Sequence, residues 1–120
     1  MDAFYKDLTN EQKDNRANIN FDHPKMIDFD LIFETLENLK LGRSAEIPVY
    51  DFATDSRKDL TKNVPPASVI IYEGIHVLYK TDILSLVDLT VFIDVNTETR
   101  KQRRIDRDIS DRGREREDVI

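Results

Sequence analysis

Three sets of side chains in this sequence have the types and spacing for chemistry. The first is a pair of acids on apolar, β-branched runs. Glu73 directly follows SVIIY (68–72), and Asp94 lies in VFIDV (91–95). An acid just past a buried strand sits where open α/β sheets hold ligands, and it can take Mg²⁺ directly or through water. Acids are also common wherever a strand simply meets solvent, so spacing alone leaves both as candidates. The second set is cationic. Residues 100–116 hold eight Lys/Arg against four acids. Arg100, Arg104 and Arg107 share one helical face, while Arg112 and Arg114 flank Gly113, where the chain can bend. Guanidinium forks pair bidentately with phosphate oxygens, so such a run can close over polyphosphate. The blander reading is a solvated, salt-bridged helix. The third set mixes aromatics and acids: Asp2, Phe4, Tyr5, Phe21, Asp22, Tyr50 and Phe52. Aromatic faces can sandwich a flat base, and a carboxylate can accept two hydrogen bonds from vicinal hydroxyls. His23 and His76 have no partner at metal-ligand spacing.

Composition narrows the classes. The chain has 120 residues, a net charge of −6 and no cysteine. That length is one small domain at most. Disulfides and thiolate chemistry are excluded. An acidic chain without an aromatic platform beside its arginines does not read as a nucleic-acid binder. No apolar run approaches a membrane span and no signal-peptide core follows Met1, so the expectation is a cytoplasmic protein without a membrane partner. The glycines, at 42, 74 and 113, are isolated, and the phosphate-cradling string G-x-x-x-x-G-K-[ST] does not occur in these residues.

The elements that must position these residues follow from pattern. Thr9 or Asn10 can cap a short polar helix. Pro24 drives His23 to extended geometry. Asp28 or Asp30 can cap an amphipathic helix carrying Leu31, Ile32, Leu36 and Leu39, which Gly42 ends as its C′ residue. Residues 46–52 read as a short extended piece or hairpin arm, and residues 53–66 as a loop or second arm. Residues 68–72 and 89–95 are β-branched runs of the kind buried on both faces of a parallel sheet. A short helix is expected near 82–87. Asn96 or Thr97 can cap a last helix running to about Arg112. Together these predict an α/β fold with a parallel sheet.

In order along the chain, DAFYKDLTNEQ, NFDHP, IPVYDFATDSRK, IIYEGI, VFIDV and RRIDRDISDRGR resemble the uridine–cytidine kinases, in the family that also contains phosphoribulokinase. The resemblance covers nearly the whole chain. It implies one partial nucleoside kinase domain over residues 1–120, comprising the nucleoside-binding part and an arginine-rich lid. The activity implied is transfer of the ATP γ-phosphoryl group to the 5′-hydroxyl of uridine or cytidine, with Mg²⁺ accompanying ATP. By the same resemblance Asp2 is base or orienter at that hydroxyl, and Asp22, helped by Arg104, holds the ribose hydroxyls. Phe21, Tyr50 and Phe52 surround the base with Tyr5 nearby, and Arg114 reaches the base. Arg107 and Arg112 reach the ATP phosphates, and Glu73 belongs to the Mg²⁺ environment.

Three departures matter. The family opens with a strand, a Walker A loop and its helix, and continues past the lid; the resemblance therefore implies a fragment of a P-loop-type sheet flanked by helices, lacking its first, central strand, its phosphate loop and its C-terminal elements. Such a fragment is expected to be inactive alone. The competing expectation is a non-catalytic module or decayed copy that associates with a full-length kinase subunit, or with itself. Finally, relatives carry His in Y-D-F-x-x-H-S-R where this sequence has Asp55. An ionised aspartate accepts from the cytosine amino group but cannot donate to the uracil carbonyl, so Asp55 is expected to tilt the site toward cytidine.

Overall fold

The computed structural model describes residues 1–115. Arg116, the last cation of the basic run, lies outside the described residues. The described chain divides into two compact units, one of residues 1–51 with 55–88, the other of residues 52–54 with the described residues from 89 on.

In the first unit, local signals set most boundaries. Helix α1 (Asn10–Asp14) begins with a capping box: Gln12 N–H donates to Thr9 Oγ1 at 3.2 Å, and Thr9 N–H donates to Gln12 Oε1 at 2.8 Å. Helix α2 (Phe29–Lys40) is capped by Asp28, whose carboxylate accepts from Leu31 N–H at 3.2 Å. Its buried stripe is Phe29, Ile32, Thr35, Leu36 and Leu39. Gly42 ends it at φ +75°, with Gly42 N–H on the Leu39 carbonyl and Arg43 N–H on the Asn38 carbonyl, which is the Schellman pattern. Helix α2 packs on the N-terminal turn (2–4), on strand β1 (Ala45–Asp51) and on the short helix α3 (Thr81–Leu84). Ile27, Ile32 and Ile83 are the most deeply buried side chains of this core.

Strand β1 pairs antiparallel with β2 (Ser56–Val64). Between the pairs Pro48↔Thr61 and Tyr50↔Arg57, Val49 alone faces residues 58–60, a bulge that bends β2. Pro48 is tolerated because β1 pairs on one side only. Glu46 accepts from Thr61 and Asn63 across the hairpin, and these two bonds, the Thr61 bond foremost, hold its carboxyl below the ordinary range. The turn at residues 52–55 closes with Asp55 in the left-handed region at φ +49°, which aspartate tolerates better than most residues.

Arg57 ties the hairpin to the N-terminal segment. Its Nε donates to the Tyr5 carbonyl at 2.8 Å and its Nη2 to Asp28 Oδ2 at 3.1 Å, while its backbone N–H donates to Asp7 Oδ1 at 2.7 Å. The Arg57→Ala variant leaves a buried carbonyl and a helix-capping carboxylate without this donor. We expect it to lower unfolding free energy by about 2–3 kcal/mol, read as an earlier urea midpoint. Arg57→Lys should recover only part, since one ammonium cannot reproduce the fork.

The second unit contains helix α4 (Thr97–Ser110), capped by Asn96, whose Oδ1 accepts from Thr99 N–H at 2.9 Å. Its buried residues are Ile105 and Asp108.

The parallel sheet expected from the sequence is not formed among the described residues. Among the described residues the sheet is the antiparallel β1–β2 pair, and neither 68–72 nor 89–95 is a strand. Most of their side chains are exposed, Ile71 at 85% and Ile93 at 81%, while Tyr72 and Val95 are half-buried. A β-branched run fixes the preference of the chain for extended, two-sided burial, but a ladder needs a neighbouring strand to accept its hydrogen bonds.

Candidate functional site

The acids expected to do chemistry meet through the segment 73–79 of the first unit. The Met1 amine donates to the Glu73 carbonyl at 2.9 Å, which brings the backbone next to Asp2 against Glu73. Gly74 permits this approach: it has φ +147°, and a Cβ there would lie 2.6 Å from Met1 Cβ. Two residues on, His76 Nε2 donates to the Asp22 carbonyl at 2.6 Å, a bond to an acceptor-only oxygen that fixes the Nε2–H tautomer. Asp22 is held from its other side by its N–H on Asn20 Oδ1 at 3.0 Å, an Asx turn. Tyr79 continues the support, edge-on to His76 and 5.4 Å from the Phe29 ring of α2. One short segment thus holds the Met1 amine, beside Asp2, and the Asp22 carbonyl, and His76, which no sequence pattern singles out, is the group that fixes the Asp22 backbone. Its role was unreadable because its partner is a backbone carbonyl 54 residues away.

Around these acids the first unit places Tyr5, buried, with its ring 5.3 Å from Tyr50 and tilted by 33°. Phe21, Asp22 and Tyr50 are half-buried. Asp55 is 2% exposed, and Arg16 Nη2 lies 2.5 Å from its Oδ2. The carboxylate at the position that differs from the expected motif is therefore neutralised inside the protein, and Arg16 was missed because nothing in its polar surroundings marks it. Glu73 is exposed, a hard oxygen donor. Mg²⁺ commonly takes one or two carboxylates and fills its other positions with phosphate and water, so this donor suits the ion. The neighbouring Tyr72 hydroxyl is buried with no hydrogen-bond partner among the described residues, and burial pushes it up to about 12. A hollow of about 480 Å³ on the hairpin, lined by Leu31, Pro48 and Arg57 among others, contains none of the expected site residues.

The second unit holds the cationic set. Arg112 stacks its guanidinium 4.1 Å from the centre of the Phe52 ring. Asp108 is buried beneath three arginines. Arg107 Nε and Nη2 each lie 2.9 Å from its Oδ1, Arg112 Nη1 lies 3.5 Å from the same oxygen, and Arg104 Nε lies 3.7 Å from Oδ2. The turn after α4 brings Arg114 N–H onto the Asp108 carbonyl at 3.0 Å, with Gly113 at φ +63°. The arginines predicted from the sequence are brought together as a cluster; Asp108, their common partner, was overlooked because an acid inside a charge run looks solvated.

Residues 1–120 match the sequence profile described as the Phosphoribulokinase / Uridine kinase family. The chain belongs to this family. Among kinases of the family, it is 50% identical to "Uridine-cytidine kinase-like 1" of Mus musculus, over 100% of this chain and 22% of that protein. It is 46% identical to "Uridine-cytidine kinase 2-B" of Danio rerio, with 47% of that protein covered. It is 39% identical to "Uridine kinase" of Staphylococcus aureus strain JH9, with 58% covered. The chain thus spans between about a fifth and three-fifths of the length of these uridine kinase relatives. Among the described residues no helix is long and apolar enough to cross a membrane.

Proposed function

We propose that this chain supplies the nucleoside-accepting residues and the phosphate-clamping arginines of a cytoplasmic uridine–cytidine kinase that makes UMP or CMP for pyrimidine salvage. The observation that carries the reading is that one segment, 73–76, holds both the Met1 amine beside Asp2 and the Asp22 carbonyl. Asp22 accepts the two ribose hydroxyls with Arg104 assisting, and Asp2 orients the 5′-hydroxyl and takes its proton. The 5′-oxygen then forms a bond to the γ-phosphorus of ATP as the bond to the β–γ bridging oxygen breaks, releasing ADP. Tyr5, Phe21, Tyr50 and Phe52 offer ring faces to the base, with Arg114 at its edge. Arg107 and Arg112 hold ATP phosphates. Glu73 holds Mg²⁺, which when bound neutralises phosphate charge. Asp55 favours cytidine, because an ionised carboxylate accepts from an exocyclic amino group and cannot donate to a carbonyl. Phosphoryl transfer asks little of a protein beyond such positioning and charge stabilisation.

The exposed runs 69–71 and 91–93 support a finer reading of the fold. Each is a strand of a parallel sheet whose neighbouring strand, with the ATP-cradling loop, comes from polypeptide outside these 120 residues. The chain by itself is then without significant kinase activity. The same exposure supports the second reading, in which the chain associates with a complete kinase subunit. The test is a graft, with these 120 residues replacing the matching segment of the zebrafish relative. Phosphorylation of uridine or cytidine by the graft, and none by the chain alone, is expected; a folded graft that phosphorylates neither nucleoside rejects the proposal.

A further inference from the structure

Asp108 is 1% exposed at its side chain and sits against three guanidinium groups that are themselves 17% to 46% exposed. A carboxylate this deeply buried requires cationic partners. The reverse dependence is equally strong: three guanidinium groups within 4 Å of one residue would repel each other without a negative charge at their centre. A guanidinium has five N–H donors, so the two nitrogens that Arg107 commits to Asp108 leave donors over. The backbone carbonyl of the same residue fixes the turn that carries Arg112, Gly113 and Arg114.

We infer that Asp108 is a positioning residue that pre-assembles Arg104, Arg107 and Arg112 into a binding site for a polyphosphate chain, ordering their forks before the anion arrives. This rests on the proposed phosphate-clamping role of Arg107 and Arg112. It adds that the affinity for phosphate depends on a buried negative charge, which long-range electrostatics alone would count as unfavourable.

That opposition of sign gives the test. In the full 120-residue chain, Asp108→Asn keeps size and shape and raises the net charge by one. If charge alone governed binding, inorganic tripolyphosphate would bind more tightly. Pre-assembly predicts about tenfold weaker binding by calorimetry, the loss of roughly one charge-assisted hydrogen bond. It also predicts collapse of the dispersed arginine Nε–H NMR signals toward solvent-exposed values, with helical circular dichroism retained. Arg100→Gln, which removes a cation that bonds Thr97 on the same helix, should weaken binding by only about twofold, the scale of a screened surface charge. Should Asp108→Asn lose helicity, Asp108→Glu decides, since it keeps the charge: binding within about threefold of wild type supports the role, and binding as weak as that of Asp108→Asn overturns it. Equal or tighter binding by a helical Asp108→Asn, while Arg107→Ala with Arg112→Ala abolishes binding, overturns the positioning role and leaves the clamp intact. No tripolyphosphate binding by the wild-type chain overturns both.

Discussion

In the graft, Asp22→Asn should lower kcat/KM for uridine and cytidine by about 10²-fold, and Asp2→Asn should lower it at least as far through a different parameter. A carboxylate that accepts from two vicinal hydroxyls makes two charge-assisted bonds of about 1.5–3 kcal/mol each. Asparagine keeps one acceptor oxygen and no charge, so the loss is about 3 kcal/mol, or two powers of ten. The proposed ribose contact would be present before and during phosphoryl transfer, so the loss should fall mainly on KM. In the proposed role Asp2 takes the proton of the reacting hydroxyl, and its removal should then fall on kcat by about 10²–10⁴. A third substitution separates side chain from scaffold. His76→Phe removes the donor that fixes the Asp22 carbonyl while leaving the Asp22 carboxylate in place. It should reproduce a fraction of the KM effect and none of the kcat effect. Steady-state kinetics on the three variants checks the split; loss of kcat alone in Asp22→Asn would remove it from the ribose.

The second large effect concerns the apolar runs. Val69, Ile71, Phe92 and Ile93 are each more than 75% exposed. Exposed apolar runs of this kind drive association in water, and extended backbone without ladder partners invites strand pairing. The chain alone is therefore expected to sediment as oligomers at tens of micromolar and to bind a hydrophobic dye. Ile71→Lys with Ile93→Lys should shift it toward monomer without altering the helical signal, since neither side chain contributes to the core around Ile27, Ile32 and Ile83. In the graft the sign reverses. There the same two lysines would be buried between strands, where an unpaired ammonium is intolerable, and the graft should fail to fold. A wild-type chain that is monomeric and dye-silent would contradict the assignment of these runs as strands awaiting a partner.

Local chemistry made much of the architecture readable. Thr9, Asp28 and Asn96 cap helices as their side chains dictate, and Gly42 ends α2 in the left-handed turn that glycine favours. The hairpin arms around residue 52 were legible because VYDF and a polar stretch flank a turn. What failed was everything decided by a distant partner. SVIIY and LTVFIDV announce a wish for burial but carry no information on whether a neighbour is present. Asp108 resembles any surface acid until Arg104, Arg107 and Arg112 are seen around it. Arg16 and Asp55 lie 39 positions apart in segments that each look like solvated loop. Arg57 sits in a recognisable string, yet its work on Tyr5 and Asp28 is structural. The candidate site was legible as residue types through family-like motifs; its supports were not, because backbone carbonyls and single buried ion pairs leave no pattern along a chain.

The most direct measurement is a titration of the isotope-labelled 120-residue chain with cytidine, uridine and, as a purine control, adenosine, followed by amide and aromatic NMR shifts. The account predicts saturable shifts for the pyrimidine nucleosides at Phe21, Asp22 and Tyr50, stronger for cytidine, and abolished by Asp22→Asn. Shifts that ignore these residues, or that follow adenosine as readily as cytidine, would contradict it.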